Sequence, residues 1–147
     1  MTAASIIEQL QLIPHPEGGY YKRTYTANNQ AFSAILYLMM RANFSAFHKI
    51  NADEQWNWYL GDAISIHEID ARGNYKKTVL SNNNMQFQHV VSAGNWFAAE
   101  CMGEHGFALC GCTVVPEFQF DFFELANQQQ LLEQFPQHTE IIQKLTR

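Results

Sequence analysis

The sequence predicts a mainly β protein, a closed barrel or jelly roll with short helices at its two ends. Three observations point there. Between Tyr20 and Leu125 the chain breaks into roughly eight to ten short strand-like runs separated by turn residues. Aromatic residues reach 14%, with 11 Phe, 6 Tyr and 3 Trp, a supply suited to sheets and lined cavities. Helical spacing is confined to the segments before Pro14 and after Ala126.

The first helix fits Ala3 to Leu12, with Ile6, Ile7 and Leu10 on one face, and it stops before Pro14. Pro14 to Tyr20 is dense in breakers and must be a shaped loop. Tyr20 to Tyr25 alternates as a strand, and Phe32 to Met40 is apolar enough for a strand buried on both faces. Phe44 to Ile50 and Gln55 to Leu60 follow. Ala63 to Ile69 and Tyr75 to Leu80 flank the Ala71 to Asn74 turn as hairpin partners. Phe87 to Val91, Trp96 to Cys101 and Phe107 to Val115 complete the strands. Phe118 to Leu125 reads as core and interface, and Asn127 to Phe135 and Thr139 to Leu145 as terminal helices. No repeat, linker or low-complexity tract divides residues 1–147, so one domain is expected.

Composition narrows the function. With 47% apolar and 16% charged residues, the chain has a core of ordinary size and is not disordered. A net charge of -5, with only 9 Lys plus Arg, argues against a nucleic-acid partner, which needs a basic face. No run approaches the ~20 apolar residues of a membrane span, and the start has no basic, apolar leader pattern. Cys101, Cys110 and Cys112 are an odd set without a CxxC and read as reduced, buried thiols of a cytoplasmic protein. Cys110 and Cys112 should share one strand face.

Phe47 to Asp62 reads FHKINADEQWNWYLGD, with Glu54 followed by six residues and then Gly61. This is similar to the first cupin motif: Gly, five residues, His-x-His, three or four residues, Glu, six residues, Gly. His48 and Glu54 match, while Ala42 stands at the first Gly and Ile50 at the second His. Gln86 to Phe97 resembles a degraded second motif, with Gly94 kept, Gln86 at the first Gly, Ser92 at the Pro and Phe97 at the His. The blocks PHPEGGYYKRTY, FHKINADEQW, AGNWFAAE and GCTVVPEFQFDFFELA together resemble the cupin-superfamily-5 group, the domain of unknown function 985, over nearly the whole chain. FPQHTEIIQKLT also fits. The resemblance implies a cupin-type double-stranded β-helix, a dimer and a likeness to deoxysugar-nucleotide epimerases. It implies no particular reaction.

Ordinary cupins hold a divalent metal with three His and one Glu. Here Ile50 and Phe97 fill two of those positions and cannot donate a lone pair, so no metal and no cofactor are expected. Asn57 stands where relatives often carry His, and His15, His67 and His89 are the remaining imidazoles considered from other strands. His48 and Glu54 are the candidate catalytic residues. An imidazole held by a carboxylate is a serviceable base, and a polar pair closing the barrel end is the alternative. In the likened epimerases a His takes the proton alpha to a carbonyl and a Tyr protonates the other face. Here Tyr21, Tyr25, Tyr37 and Tyr59 are all open as the acid.

Tyr21, Arg23, Trp56, Trp58 and Trp96 are the candidate substrate-binding residues. Strand parity puts Trp56 and Trp58 on the face of Glu54, and aromatic walls with a few polar groups suit a sugar-like small molecule. Arg23 meets a phosphate or carboxylate, or forms a salt bridge with Glu17 or Asp53. The PHPEGGYY loop reads as a cover for the barrel mouth or as a dimer-interface turn. A homodimer is expected, with Phe32 to Met40 and Phe118 to Phe123 supplying apolar surface. A metal-independent isomerase or epimerase, a non-catalytic binding module and a structural barrel are the three functions compatible with these residues.

Overall fold

The computed structural model describes residues 1–147 as two antiparallel sheets facing each other, with helices outside both. Helix α1 (Ala3–Leu10) starts at a capping box in which the Thr2 side chain accepts from Ser5 N. It is two residues shorter than the apolar spacing predicts. Gln11 turns left-handed, with φ 56°, and folds Leu12 back beneath the helix.

The strands are β1 (Ile13–Pro14), β2 (Tyr20–Thr26), β3 (Ser33–Met40), β4 (Ser45–Ile50), β5 (Asp53–Gly61) and β6 (Ile64–Ile69). They continue as β7 (Tyr75–Leu80), β8 (Gln88–Val91), β9 (Trp96–Cys101), β10 (Phe107–Val115) and β11 (Phe123–Leu125). Helices α2 (Gln128–Gln134) and α3 (Thr139–Lys144) end the chain, joined by a 3-10 turn at Pro136–His138. Sheet A runs β1-β2-β3-β10-β5-β8 and sheet B runs β11-β4-β9-β6-β7. Sequence-distant strands pair at the centre of each sheet, which is the weave of a jelly roll. No helix is long and apolar enough to cross a membrane.

Side-chain parity makes three cores from two sheets. Between the sheets lie Tyr37, Met39, Trp56, Ile66, Phe97, Cys110 and Cys112, among others. Outside sheet B, Phe47, Ile69, Trp96 and Ala98 meet Leu131, Phe135 and Ile142 of the C-terminal segment. Outside sheet A, Leu38, Phe107 and Leu109 meet Ile6 of α1. Strands β3 and β9 therefore bury both faces, as the unbroken apolar run of β3 predicts. That placement also corrects its expected role at a dimer interface. β3 sits between β2 and β10, and its surface is taken up by the two cores of sheet A.

Two bulges aim particular side chains. In β5 the pairing with β10 slips at Leu109/Cys110, so Tyr59 is the extra residue. Trp58 then stays with the inner core while Leu60 moves out to α1, although strict alternation would place both inside. Gly111 leaves room for the displaced ring, since a Cβ there would lie 2.2 Å from the Tyr59 hydroxyl oxygen. The second bulge lies in β4 and builds the site.

Candidate functional site

Between the sheets, at the β2–β4 end, lies a small cavity whose polar lining includes His15, Glu17, Tyr21, Arg23, His48 and Glu54. Ile35, Ile50, Val114, Phe118 and Phe123 form its apolar wall. His48 comes from β4. Ser45 pairs with Ala99 and His48 with Phe97, so β4 carries one extra residue between them. Ser45 and His48 have opposite parity, and the bulge turns both into the barrel. It also leaves the Ala46 carbonyl free to accept from the ring of His48 itself, at 2.7 Å.

Glu17 arrives from the breaker-dense loop. A Cβ on Gly18 would lie 2.1 Å from the Phe44 carbonyl oxygen, and one on Gly19 2.7 Å from the Tyr37 hydroxyl. Both glycines have positive φ, 108° and 73°, which only glycine adopts without strain. That close passage carries Glu17 down beside β4. Its carboxylate accepts from His48 Nε2 at 3.0 Å and from the Ser45 hydroxyl at 2.9 Å. Its backbone carbonyl accepts from Ala46 N and from Arg147 Nη1.

Both ring nitrogens of His48 therefore point at acceptors, the Ala46 carbonyl and the Glu17 carboxylate. A neutral imidazole donates through one nitrogen only, so the geometry selects the imidazolium. Electrostatics agree. Burial opposes the His48 charge, but the Glu17 carboxylate, by charge and hydrogen bond, raises the ring above its usual value, with help from Glu54 and the Ala46 carbonyl. Burial likewise opposes the Glu17 charge, yet His48, then His15 and Ser45, hold its carboxyl at about 2.

Glu54, on β5, is in the opposite condition. Burial pushes its carboxyl up to about 7, the Glu17 carboxylate pushes in the same direction, and the His48 cation and Cys112 thiol only partly oppose them. His15 accepts the Glu17 backbone N–H at Nδ1, 3.2 Å, which puts its proton on Nε2. Burial lowers the His15 pKa, Glu17 raises it and His48 lowers it further, with a net fall that keeps the ring neutral. The cavity thus holds a fixed ion pair, a neutral imidazole donor and one carboxyl that titrates near neutrality.

Of the expected residues, His48, Glu54, Tyr21 and Arg23 share this cavity, and the three indoles lie outside it. Trp56 has the expected inward parity, but it sits one pleat beyond Glu54, fully buried between Tyr37 at 5.8 Å and Phe97 at 6.5 Å. Trp58 lies further along the barrel, where its Nε1 donates to the Asp62 carbonyl. Trp96 has the parity opposite to Phe97, so it faces the outer core of sheet B, with the Lys49 ammonium 4.6 Å from its ring centroid. Arg23 forms its ion pair with Glu117 at 3.4 Å, not with Glu17 or Asp53, and also donates to the Phe118 carbonyl at 2.9 Å. It therefore ties down the aromatic strap Phe118–Phe123 that covers the cavity. Glu17 is the residue that sequence reasoning missed. The signal is a polar Glu in a Pro- and Gly-dense loop, a pattern that by itself points to a cover or an interface turn.

The tyrosines also separate. Tyr21 lines the cavity, 4.7 Å from His15 between ring centroids. The buried Tyr37 hydroxyl is committed to the Gly18 carbonyl at 2.7 Å, and Tyr25 and Tyr59 are exposed outside sheet A.

The family model for the cupin superfamily group DUF985 matches residues 4–126. The chain belongs to this family. It resembles a Shewanella oneidensis protein of solved structure at 35% identity and TM-score 0.93, over 100% of this chain and 98% of that one. It also resembles a hypothetical protein from Leishmania major at 29% identity and TM-score 0.90, over 99% of both chains. Oxalate decarboxylase from Bacillus subtilis shares the fold at 12% identity and TM-score 0.64, with 90% of this chain matching 36% of that one. No curated protein matches the sequence.

The metal that many cupins hold does not fit these residues. The inward positions opposite and beyond His48 are Phe97 and Ile50, and both nitrogens of His48 are engaged. No three His, Cys, Asp or Glu side chains converge as a ligand set. The purified protein is expected to hold substoichiometric metal by elemental analysis, and one tightly held transition metal per chain would overturn this.

A second expectation concerns pH. Glu54 ionises at 4.5 when unperturbed and at about 7 in the fold. Between those values the native state keeps a proton that the unfolded chain has lost, so stability falls as pH rises and levels off above about 7. That shift corresponds to about 3 kcal/mol. Glu54→Gln keeps the neutral shape, so it should match the wild type in urea titrations below about pH 4 and exceed it by up to about 3 kcal/mol above about pH 8. A gap that is constant across this range would show that Glu54 is not held neutral.

Proposed function

We propose that this cupin protein is a metal-independent isomerase that moves a proton at the carbon beside a carbonyl in a small polar substrate. The observation that supports it best is the contrast inside one cavity between an ion pair that cannot easily exchange protons and a carboxyl poised near neutral pH. A base works best when its pKa is near the operating pH, so Glu54 takes the role expected of His48. His15, with its proton on Nε2, supplies a donor for an enolate oxygen. Tyr21, which lines the cavity, takes the role of the acid.

Cavity size supports a second reading, a structural barrel with a filled interior. The cavity measures about 30 Å³, room for about one or two water molecules. A keto sugar enters only if the strap Phe118–Phe123 lifts. Its anchors are the Arg23 contacts and the Phe118 N–H to Ser33 hydroxyl bond, while Phe120 and Phe122 are exposed.

Deuterium exchange at the alpha carbon of keto sugars and keto acids, followed by NMR, separates the two readings. The isomerase reading expects exchange that Glu54→Gln lowers by roughly 10²-fold or more in a protein that melts no lower than wild type. No exchange with any of them would leave the structural barrel in its place. His48→Ala is a poor probe, because it would leave the Glu17 carboxylate buried without its partner.

We also propose a cytoplasmic homodimer. Tyr25, Tyr59, Val90 and Val115 are about half exposed on the face of sheet A that α1 leaves open. Light scattering at micromolar concentration should give the mass of two chains, and a monomer mass would count against it.

A further inference from the structure

The outer face of sheet B carries a second set of titratable side chains, on the far side of the sheet from the barrel cavity. Register brings them together. Lys77 and Ala98 lie opposite His67, Tyr75 and Trp96 lie opposite Ile69, and Glu100 lies opposite Ser65. Residues two apart share a face, so His67, Tyr75, Lys77 and Glu100 all project outward. The Pro136–His138 turn and α3 pack beside them and leave an open cleft of about 390 Å³.

Three of these side chains form one hydrogen-bonded line. The Glu100 carboxylate accepts from His67 Nε2 at 3.2 Å, so that nitrogen holds the proton. His67 Nδ1 then has a free lone pair and accepts the Tyr75 O–H at 2.7 Å. Burial, with Lys77 and Lys144 nearby, lowers the His67 pKa against the pull of Glu100, and the ring stays neutral. Burial and the Glu100 charge raise Tyr75 above its usual value, so the resting phenol is protonated. His67 and Glu100 are buried, whereas Tyr75 is 41% exposed. Lys144 donates to Glu100 at 2.9 Å, and its ammonium and that of Lys77 line the cleft. The His138 ring, bonded to the Gly73 carbonyl, packs against Tyr75 with centroids 5.7 Å apart. A hydroxyl on a partly exposed side chain, backed by a buried imidazole that is itself backed by a buried carboxylate, is the arrangement that activates nucleophiles.

We propose that Tyr75 is the nucleophile of a second site, acting on a small electrophile with an anionic leaving group, of the acyl-phosphate class. The phenol oxygen bonds to the acyl carbon while its proton passes to His67 Nδ1. The bond from that carbon to the phosphate oxygen breaks, and phosphate leaves with the electron pair beside Lys77 and Lys144. The imidazolium formed rests against Glu100, and the product is an O-acyl tyrosine.

The test uses para-carboxybenzenesulfonyl fluoride on the full chain, with labelled peptides followed by mass spectrometry. This probe undergoes the same step at sulfur, with fluoride leaving. Tyr25 and Tyr59 serve as internal references, being 54% and 50% exposed. Tyr75 is expected to label on the order of tenfold faster or more, and prior acetyl phosphate is expected to slow labelling at Tyr75 alone. Glu100→Gln should bring Tyr75 down to the reference rate, with His67→Gln as the alternative if that protein does not fold. Equal labelling of the three tyrosines in the wild type overturns the proposal without any variant. A Tyr75 rate unchanged in a folded Glu100→Gln protein assigns the reactivity to exposure alone and overturns it as well. Failure of acetyl phosphate to protect overturns the substrate class.

Discussion

The ion pair between Glu17 and His48 is the constraint on which the site end of this barrel depends. It joins the β1–β2 loop of sheet A to a strand of sheet B, and both partners are buried. Removing two charges from water is costly, and the attraction offsets it only if the remaining lone pairs and protons also find partners. Here they do. Ser45 donates to the second Glu17 oxygen, Ala46 accepts the second His48 proton, and the loop carbonyl receives Ala46 N and Arg147. The bulge in β4 makes this possible by turning Ser45 and His48 to the same side. The two glycines let the loop approach closely enough to reach them.

The pair also sets the chemistry around it. A committed negative charge at Glu17 disfavours a second one at Glu54, which burial already disfavours. A committed positive charge at His48 disfavours a third site of protonation at His15. One buried interaction thereby assigns protonation states to two neighbours. Like-charge crowding and desolvation push titratable groups apart in the same way at acid–base sites generally.

Much of the fold was legible because it rests on alternation and turn chemistry, which are local. The β3 run, the Tyr75 hairpin partner and the inward pair Cys110 and Cys112 all follow from parity. The two-residue strand β1 was not legible, because Pro14 reads as a breaker and the pairing with Tyr20 is what makes it a strand. His48 and Glu54 could be named from motif spacing. Glu17 could not, since its partner is distant in the chain and no spacing rule connects a loop to a bulge. Parity placed Trp56 and Trp58 inside the barrel, but it does not say how deep along the strand the cavity ends. Trp96 needed the register of β9 against β4, which puts Phe97 and not its neighbour beside His48.

Strand β9 shows how two separate sets of titratable groups share one small sheet. Phe97 and Ala99 face the barrel, and Phe97 packs against the His48 ring with centroids 4.1 Å apart. Ala98 and Glu100 face outward, where Ala98 lies opposite His67 and Glu100 holds it. Strand β9 is buried on both faces and stands between the two sets. Each set of titratable groups is then governed by its own neighbours. The inner set is closed over by aromatic rings and organised around a fixed ion pair. The outer set opens to solvent through Tyr75 and keeps its imidazole neutral.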